Sequence, residues 1–135
     1  MEEKKLNTSG QLDDEMALDF AWLRVRHLIK NHFKKEQLPD LNAILFIIGI
    51  QELGRWQEEF SKEEKQDLMH IATCRLLSYD GYYDFVGRDA DGWPHYEVVS
   101  SLQFGNLKEQ EILLKKNIVR YFRDLELENG GIEQN

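Results

Sequence analysis

The sequence predicts an α+β fold, mainly α, in which four helices carry one β-hairpin inserted between the third and the fourth. Three observations lead there. The 24-residue stretch from Asp13 to Glu36 has neither proline nor glycine and is rich in helix formers. Two later segments, "SKEEKQDLMHIATCRLL" and "NLKEQEILLKKNIVRYFRDLE", open with a capping pattern and continue in helical periodicity. Between them "YYDFVGRDADGWPHYEVV" has β-branched and aromatic residues on both sides of a turn.

Each element has its own local signals. The first helix is read from Asp13 to about Glu36, with Pro39 enforcing a stop. Asp40 is the N-cap of a second helix, "LNAILFIIGIQEL", which ends at Gly54, a residue suited to the left-handed cap position. That helix is apolar nearly all round, which places it centrally, and Gly49 within it points to close approach of a neighbouring backbone. Ser61 and Glu64 stand in capping-box spacing at the start of the third helix, and Gly81 closes it. Asn106 caps the fourth, with Glu109 three residues on. Its residues Leu107, Leu114, Ile118, Tyr121, Phe122 and Leu125 fall within about 100° of a helical wheel. The hairpin spans about 82–99 and needs the helices for support, since an isolated hairpin is marginal in water. The polar residues 1–11 and the acidic end 128–135 are expected to be disordered, which leaves 12–127 as a single mainly helical domain.

Whole-chain properties narrow the function classes. At 135 residues the chain is long enough to bury roughly 65–70% of its unfolded surface, so one packed core is expected. The 25 acidic residues against 17 basic give a net charge of -8, which opposes binding to nucleic acid or anionic membrane. The longest apolar run, "AILFIIGI", is far short of the roughly 20 residues of a membrane span. Cys74 is the one cysteine and can form no internal disulfide. With no apolar signal-peptide core after "MEEKK", the expectation is a cytoplasmic protein.

The hairpin holds the most chemistry per residue. "DADG" has the look of a calcium-loop centre, but with Gly92 at the sixth position the first is Gly87 and the twelfth Val98, so two ligands are missing. Asp91 and Gly92 then read as turn residues, and a weaker loop site of Asp84, Asp89, Asp91 and Glu97 is the alternative. Tyr82, Tyr83, Trp93, His95 and Tyr96 read first as packing against a core and second as a ligand platform. Candidate ligand-binding residues are therefore Asp84, Asp89, Asp91, Trp93 and His95, joined by Asp67 or His32 if the helices complete a pocket. The "DADGWPHY" segment resembles stretches of a family of small bacterial proteins that carries no assigned function. The resemblance covers the hairpin and implies no activity and no functional residue.

On the third helix Asp67 and His70 are three apart, the spacing of a shared-metal pair, and His70 and Cys74 are four apart. Neither set reaches a full ligand shell, so no metal and no cofactor is assigned. Helical periodicity puts this face opposite Leu68, Ile71, Ala72 and Leu76, toward solvent or a partner. There is no phosphate loop, nucleophile elbow or zinc-protease helix pair, so the catalytic residues are unknown and the balance leans against an enzyme.

The first helix carries two apolar faces. Ala17, Ala21, Trp22, Val25, Leu28 and Ile29 form the side expected to be buried, and His32 projects onto it as a core histidine. Met16, Phe20, Leu23 and His27 recur at offsets of four, three and four as a second stripe, the candidate interface. Arg24, Arg26, Lys30, Lys34 and Lys35 against Glu36 give its second half a balance of +4, five minus one. A winged-helix DNA reader would need the third helix in the groove, and its "SKEEKQD" tip repels phosphate. The sequence therefore favours a small interaction module that self-associates as a homodimer or docks on another protein. A ligand or metal site between hairpin and helices is the alternative, and a nucleic-acid regulator comes last.

Overall fold

The computed structural model describes residues 2–101 and 106–129, with backbone alone for 2–12, 127 and 129. Its elements run α1 (Glu2–His32), α2 (Leu41–Leu53), α3 (Lys62–Leu77), a 3₁₀ turn (Ser78–Asp80), β1 (Tyr83–Arg88), β2 (Pro94–Val98) and α4 (Leu107–Asn129). Four helices with an antiparallel hairpin between the third and fourth is the architecture the sequence predicts. The acidic end from residue 130 onward lies outside the described residues. Among those residues, no helix is long and apolar enough to cross a membrane.

The chain divides into two compact units, Met1–Leu38 with Ile118–Asn135, and Pro39–Asn117. In the first, α1 starts upstream of Asp13, because "EEKKL" favours helix and Gly10 interrupts it by only about 1 kcal/mol. It ends at His32, before the expected Glu36. Lys34 takes the left-handed conformation at φ 54°, Lys35 N–H bonds Lys30 C=O at 2.9 Å and Lys34 N–H bonds Asn31 C=O at 3.3 Å. This is a Schellman closure with lysine in the place glycine usually takes. Trp22, Val25 and Ile29 are buried as expected, whereas Ala17 is exposed. His32 is also exposed, which corrects its assignment to the core: it stands in the last turn, its ring meeting Phe33 edge-on at 4.9 Å. Arg24 reaches Glu126 of α4 at 3.5 Å.

In the second unit α2 and α3 form the base. Asp40 accepts the Ala43 N–H at 2.8 Å, and Gly54 closes α2 at φ 83°. The capping box of α3 is complete, with Glu64 N–H donating to Ser61 Oγ at 3.0 Å and Ser61 N–H donating to Glu64 Oε1 at 2.9 Å. Glu109 N–H likewise finds Asn106 Oδ1 at 2.9 Å, although Leu107, grouped with the buried face of α4, is 82% exposed at the helix's first position. Ile44, Ile48, Leu68 and Leu76 are fully buried. Gly49 sits where α2 meets α3, and a Cβ built there would fall on the Leu68 carbonyl group, 2.6 Å from its carbon. Asn117, the buried polar residue on α4, donates to Leu76 C=O at 3.0 Å and to Asp80 Oδ2 at 2.7 Å, which satisfies the end of α3.

The hairpin lies on this base. Leu53, Phe60, Leu68 and Ile71 form a buried cluster against which Trp93 and Tyr96 of the hairpin pack. Tyr83 opposes Val98 and Phe85 opposes Tyr96, and then the register shifts so that Gly87 opposes His95 and Arg88 opposes Pro94. Val86 is the extra residue of this bulge, which bends the strand and changes where its side chains aim. Pro94 takes the first place in β2, where its missing N–H is tolerated.

Gly49→Ala gains helix propensity but forces α2 and α3 apart, and overpacking of this kind costs about 1–3 kcal/mol. A lowered urea midpoint with an unchanged slope is expected. An unchanged midpoint would show that the helices separate freely.

Candidate functional site

Two arginines fix the hairpin tip to the end of α2. Arg55 Nη1 donates to Asp91 C=O at 2.7 Å. Arg88 donates to the carbonyls of Glu52 at 2.7 Å, Gly92 at 2.8 Å and Leu53 at 3.3 Å. Charge-assisted bonds to helix-end carbonyls combine hydrogen bonding with a favourable dipole term. The tip itself is organised by Asp89. Its Oδ1 accepts the Asp91 and Trp93 N–H groups at 2.9 and 3.0 Å, and its Oδ2 meets His95 Nε2 at 2.9 Å. Gly92, at φ 87°, returns its N–H to Asp89 C=O at 3.0 Å. The side chain that shapes the turn is thus Asp89, while Asp91 contributes its backbone.

Held in this way, the hairpin borders a half-open cleft of about 330 Å³ along α3. The helix contributes Asp67, His70, Ile71 and Cys74, which recur at three, four and seven residues and so share one face; Ile71, grouped by periodicity with the opposite side, borders both, one turn from Asp67. The hairpin contributes Asp89, Trp93, Pro94, His95 and Tyr96. Asp67 and His70 are exposed, as the periodicity of α3 predicts, but Cys74 on the same stripe is buried at 2% exposure. Its Sγ lies 3.5 Å from His70 Nε2.

The cleft holds two groups kept protonated and one kept ionised. Burial pushes the Cys74 thiol up to about 11, so it is protonated near neutral pH and is no thiolate nucleophile. Desolvation, with Glu52 adding to it, raises the Tyr96 phenol to about 12. The His95 hydrogen bond, followed by the Trp93 and Asp91 N–H groups, holds the Asp89 carboxyl below its ordinary value and keeps it ionised.

Of the ligand candidates read from the sequence, Asp89, Trp93 and His95 meet in the cleft, together with Asp67. Asp84 and Asp91 are not among its lining residues: Asp84 stands opposite Glu97 in the strand register, and Asp91 is turned to Arg55 through its carbonyl. Among the described residues no group of three or more His, Cys, Asp or Glu side chains is placed to hold a metal ion. The roles of Arg55 and Arg88 were missed. The available signal was an arginine directly after each of two positive-φ glycines, Gly54 and Gly87, though bonds to backbone carbonyls leave no side-chain pattern to read.

The second candidate is the stripe on α1. Met16 is 57% exposed, Phe20 70% and Leu23 40%, and His27 is exposed beside them. Comparison of the chain with protein-family models, with curated proteins and with solved structures finds no match.

The thiol assignment predicts that iodoacetamide at pH 7.5 alkylates Cys74 at least about two orders of magnitude more slowly than free cysteine, from the thiolate fraction alone. Alkylation at the free-cysteine rate would contradict it. For Asp89 the folded value is depressed, so its contribution is present above the ordinary value of 3.8 and lost as pH falls through the lower folded value. Asp89→Asn should lower the urea midpoint at pH 7, and the gap to the native chain should close below that value. A gap independent of pH would assign the effect to shape alone.

Proposed function

We propose that the protein is an interaction module whose partner is a second copy of itself, docked through the α1 stripe of Met16, Phe20, Leu23 and His27. The observation that carries this reading is the exposure of three large apolar side chains in one row of a long helix. Offsets of four, three and four are those of a coiled-coil seam, in which each side chain fits between residues of the facing helix.

Charge supports a second copy running antiparallel. The first half of the helix holds Asp13, Asp14, Glu15 and Asp19, and the second half Arg24, Arg26 and Lys30. Parallel pairing sets like against like, whereas antiparallel pairing sets acidic halves against basic halves. The row is also symmetric about the point between Ala21 and Trp22. A two-fold axis there faces Phe20 with the other copy's Leu23 and Met16 with its His27, and closes the seam with Asp13 against Lys30 at each end. An isologous contact of this kind makes a closed dimer. The single buried Cys74 fits a reducing compartment such as the cytoplasm.

Native mass spectrometry of the untagged chain should show twice the chain mass. Phe20→Glu with Leu23→Glu should give monomer with unchanged circular dichroism. Asp13→Lys should weaken the dimer, and adding Lys30→Asp should restore it, because the swapped pair meets again only in antiparallel register. A native chain that is monomeric at micromolar concentration would end this reading, and a failure of the restoring substitution would end its antiparallel form.

A further inference from the structure

We propose that the cleft between α3 and the hairpin is a binding site for a small organic cation with a flat apolar body, an aromatic amine or amidine. The inference is independent of self-association, since the cleft uses residues of α3 and the hairpin alone.

Three features of the cleft select this chemistry. The first is charge. Two carboxylates, Asp67 on α3 and Asp89 on the hairpin, stand on its walls, and among the described residues no lysine or arginine lines it. An anion entering would meet two like charges, while a cation would meet two acceptors on different elements. Asp89 is held in place by its bonds to two backbone N–H groups and His95, so its charge is oriented before any ligand arrives. His70 and His95 add ring nitrogens able to accept or donate a hydrogen bond.

The second feature is the apolar surface. Ile71 stands with Asp67 on the α3 wall and Trp93 with Asp89 on the hairpin wall, and Trp93 is anchored by packing on the Leu53, Phe60, Leu68 and Ile71 cluster. An indole fixed in this way offers a flat contact to a ring and attracts a cation over its face. The third is size. A volume of about 330 Å³ lies at the small end of ligand pockets. That accommodates one ring and one charged group. A bare metal ion is the wrong occupant, since among the described residues no three ligating side chains converge.

The test is a ¹H–¹⁵N NMR titration of the full chain with benzamidine, beside benzyl alcohol as the neutral ring and benzoate as the anionic one, at matched ionic strength. Saturable shifts confined to the amides around His70, Trp93 and His95 are expected with benzamidine, with weaker response to benzyl alcohol and least to benzoate. Asp67→Asn should weaken benzamidine about two- to fivefold, the range for one exposed charge pair, without disturbing the rest of the spectrum. Equal binding of the three probes, tighter binding of benzoate, or no saturable shift with benzamidine at the solubility limit would each overturn the proposal. So would shifts that saturate away from the cleft.

Discussion

The second unit depends on the contact of α2 with α3 at Gly49. Without a Cβ there, the two helices approach until the backbone of one meets the Leu68 carbonyl group of the other. That distance brings Ile44, Ile48, Leu68 and Leu76 to full burial and sets Leu53, Phe60, Leu68 and Ile71 into one cluster. The hairpin is secondary to it. Two strands cannot bury enough apolar surface alone, and Trp93 and Tyr96 gain their packing from a cluster that exists because the helices are close. A glycine inside a helix loses about 1 kcal/mol of propensity, and close packing of two helices and a hairpin more than offsets that loss.

The cleft is what this arrangement leaves beside itself. The face of α3 that carries Asp67 and His70 borders the hairpin along Asp89, Trp93, Pro94, His95 and Tyr96. The bulge at Val86 and the arginine bonds to the end of α2 determine how far the tip extends. Asp89 links the two roles: one oxygen shapes the turn, and the other orients His95 at the rim.

Much of the fold was legible because its boundaries are written locally. Asp40, Ser61 with Glu64, and Asn106 announce helix starts within three residues; Gly54 marks the end of α2, while Gly81, expected to close α3, closes the 3₁₀ turn that follows the end of α3 at Leu77. The end of α1 was not legible for the same reason, since Lys34 takes a conformation that its identity does not advertise. At the site, Asp89, Trp93 and His95 could be nominated from one short stretch. Their meeting with Asp67 and His70 could not, because it depends on a strand bulge and on side-chain bonds to distant carbonyls. Asp84 illustrates the limit: two residues before the bulge at Val86, it stands opposite Glu97 and not in the cleft.

Arg88 has a further consequence for motion. It reaches back 35 and 36 residues to Leu53 and Glu52, so the segment between the two ends of this clamp contains the whole of α3. With its start tied by the Ser61–Glu64 box and its last turn by Asn117, α3 is held at both ends while the clamp encloses it. Hydrogen exchange of the α3 amides and of the hairpin tip is then expected to rise and fall together, as in one cooperative unit, because the clamp closes the chain around α3.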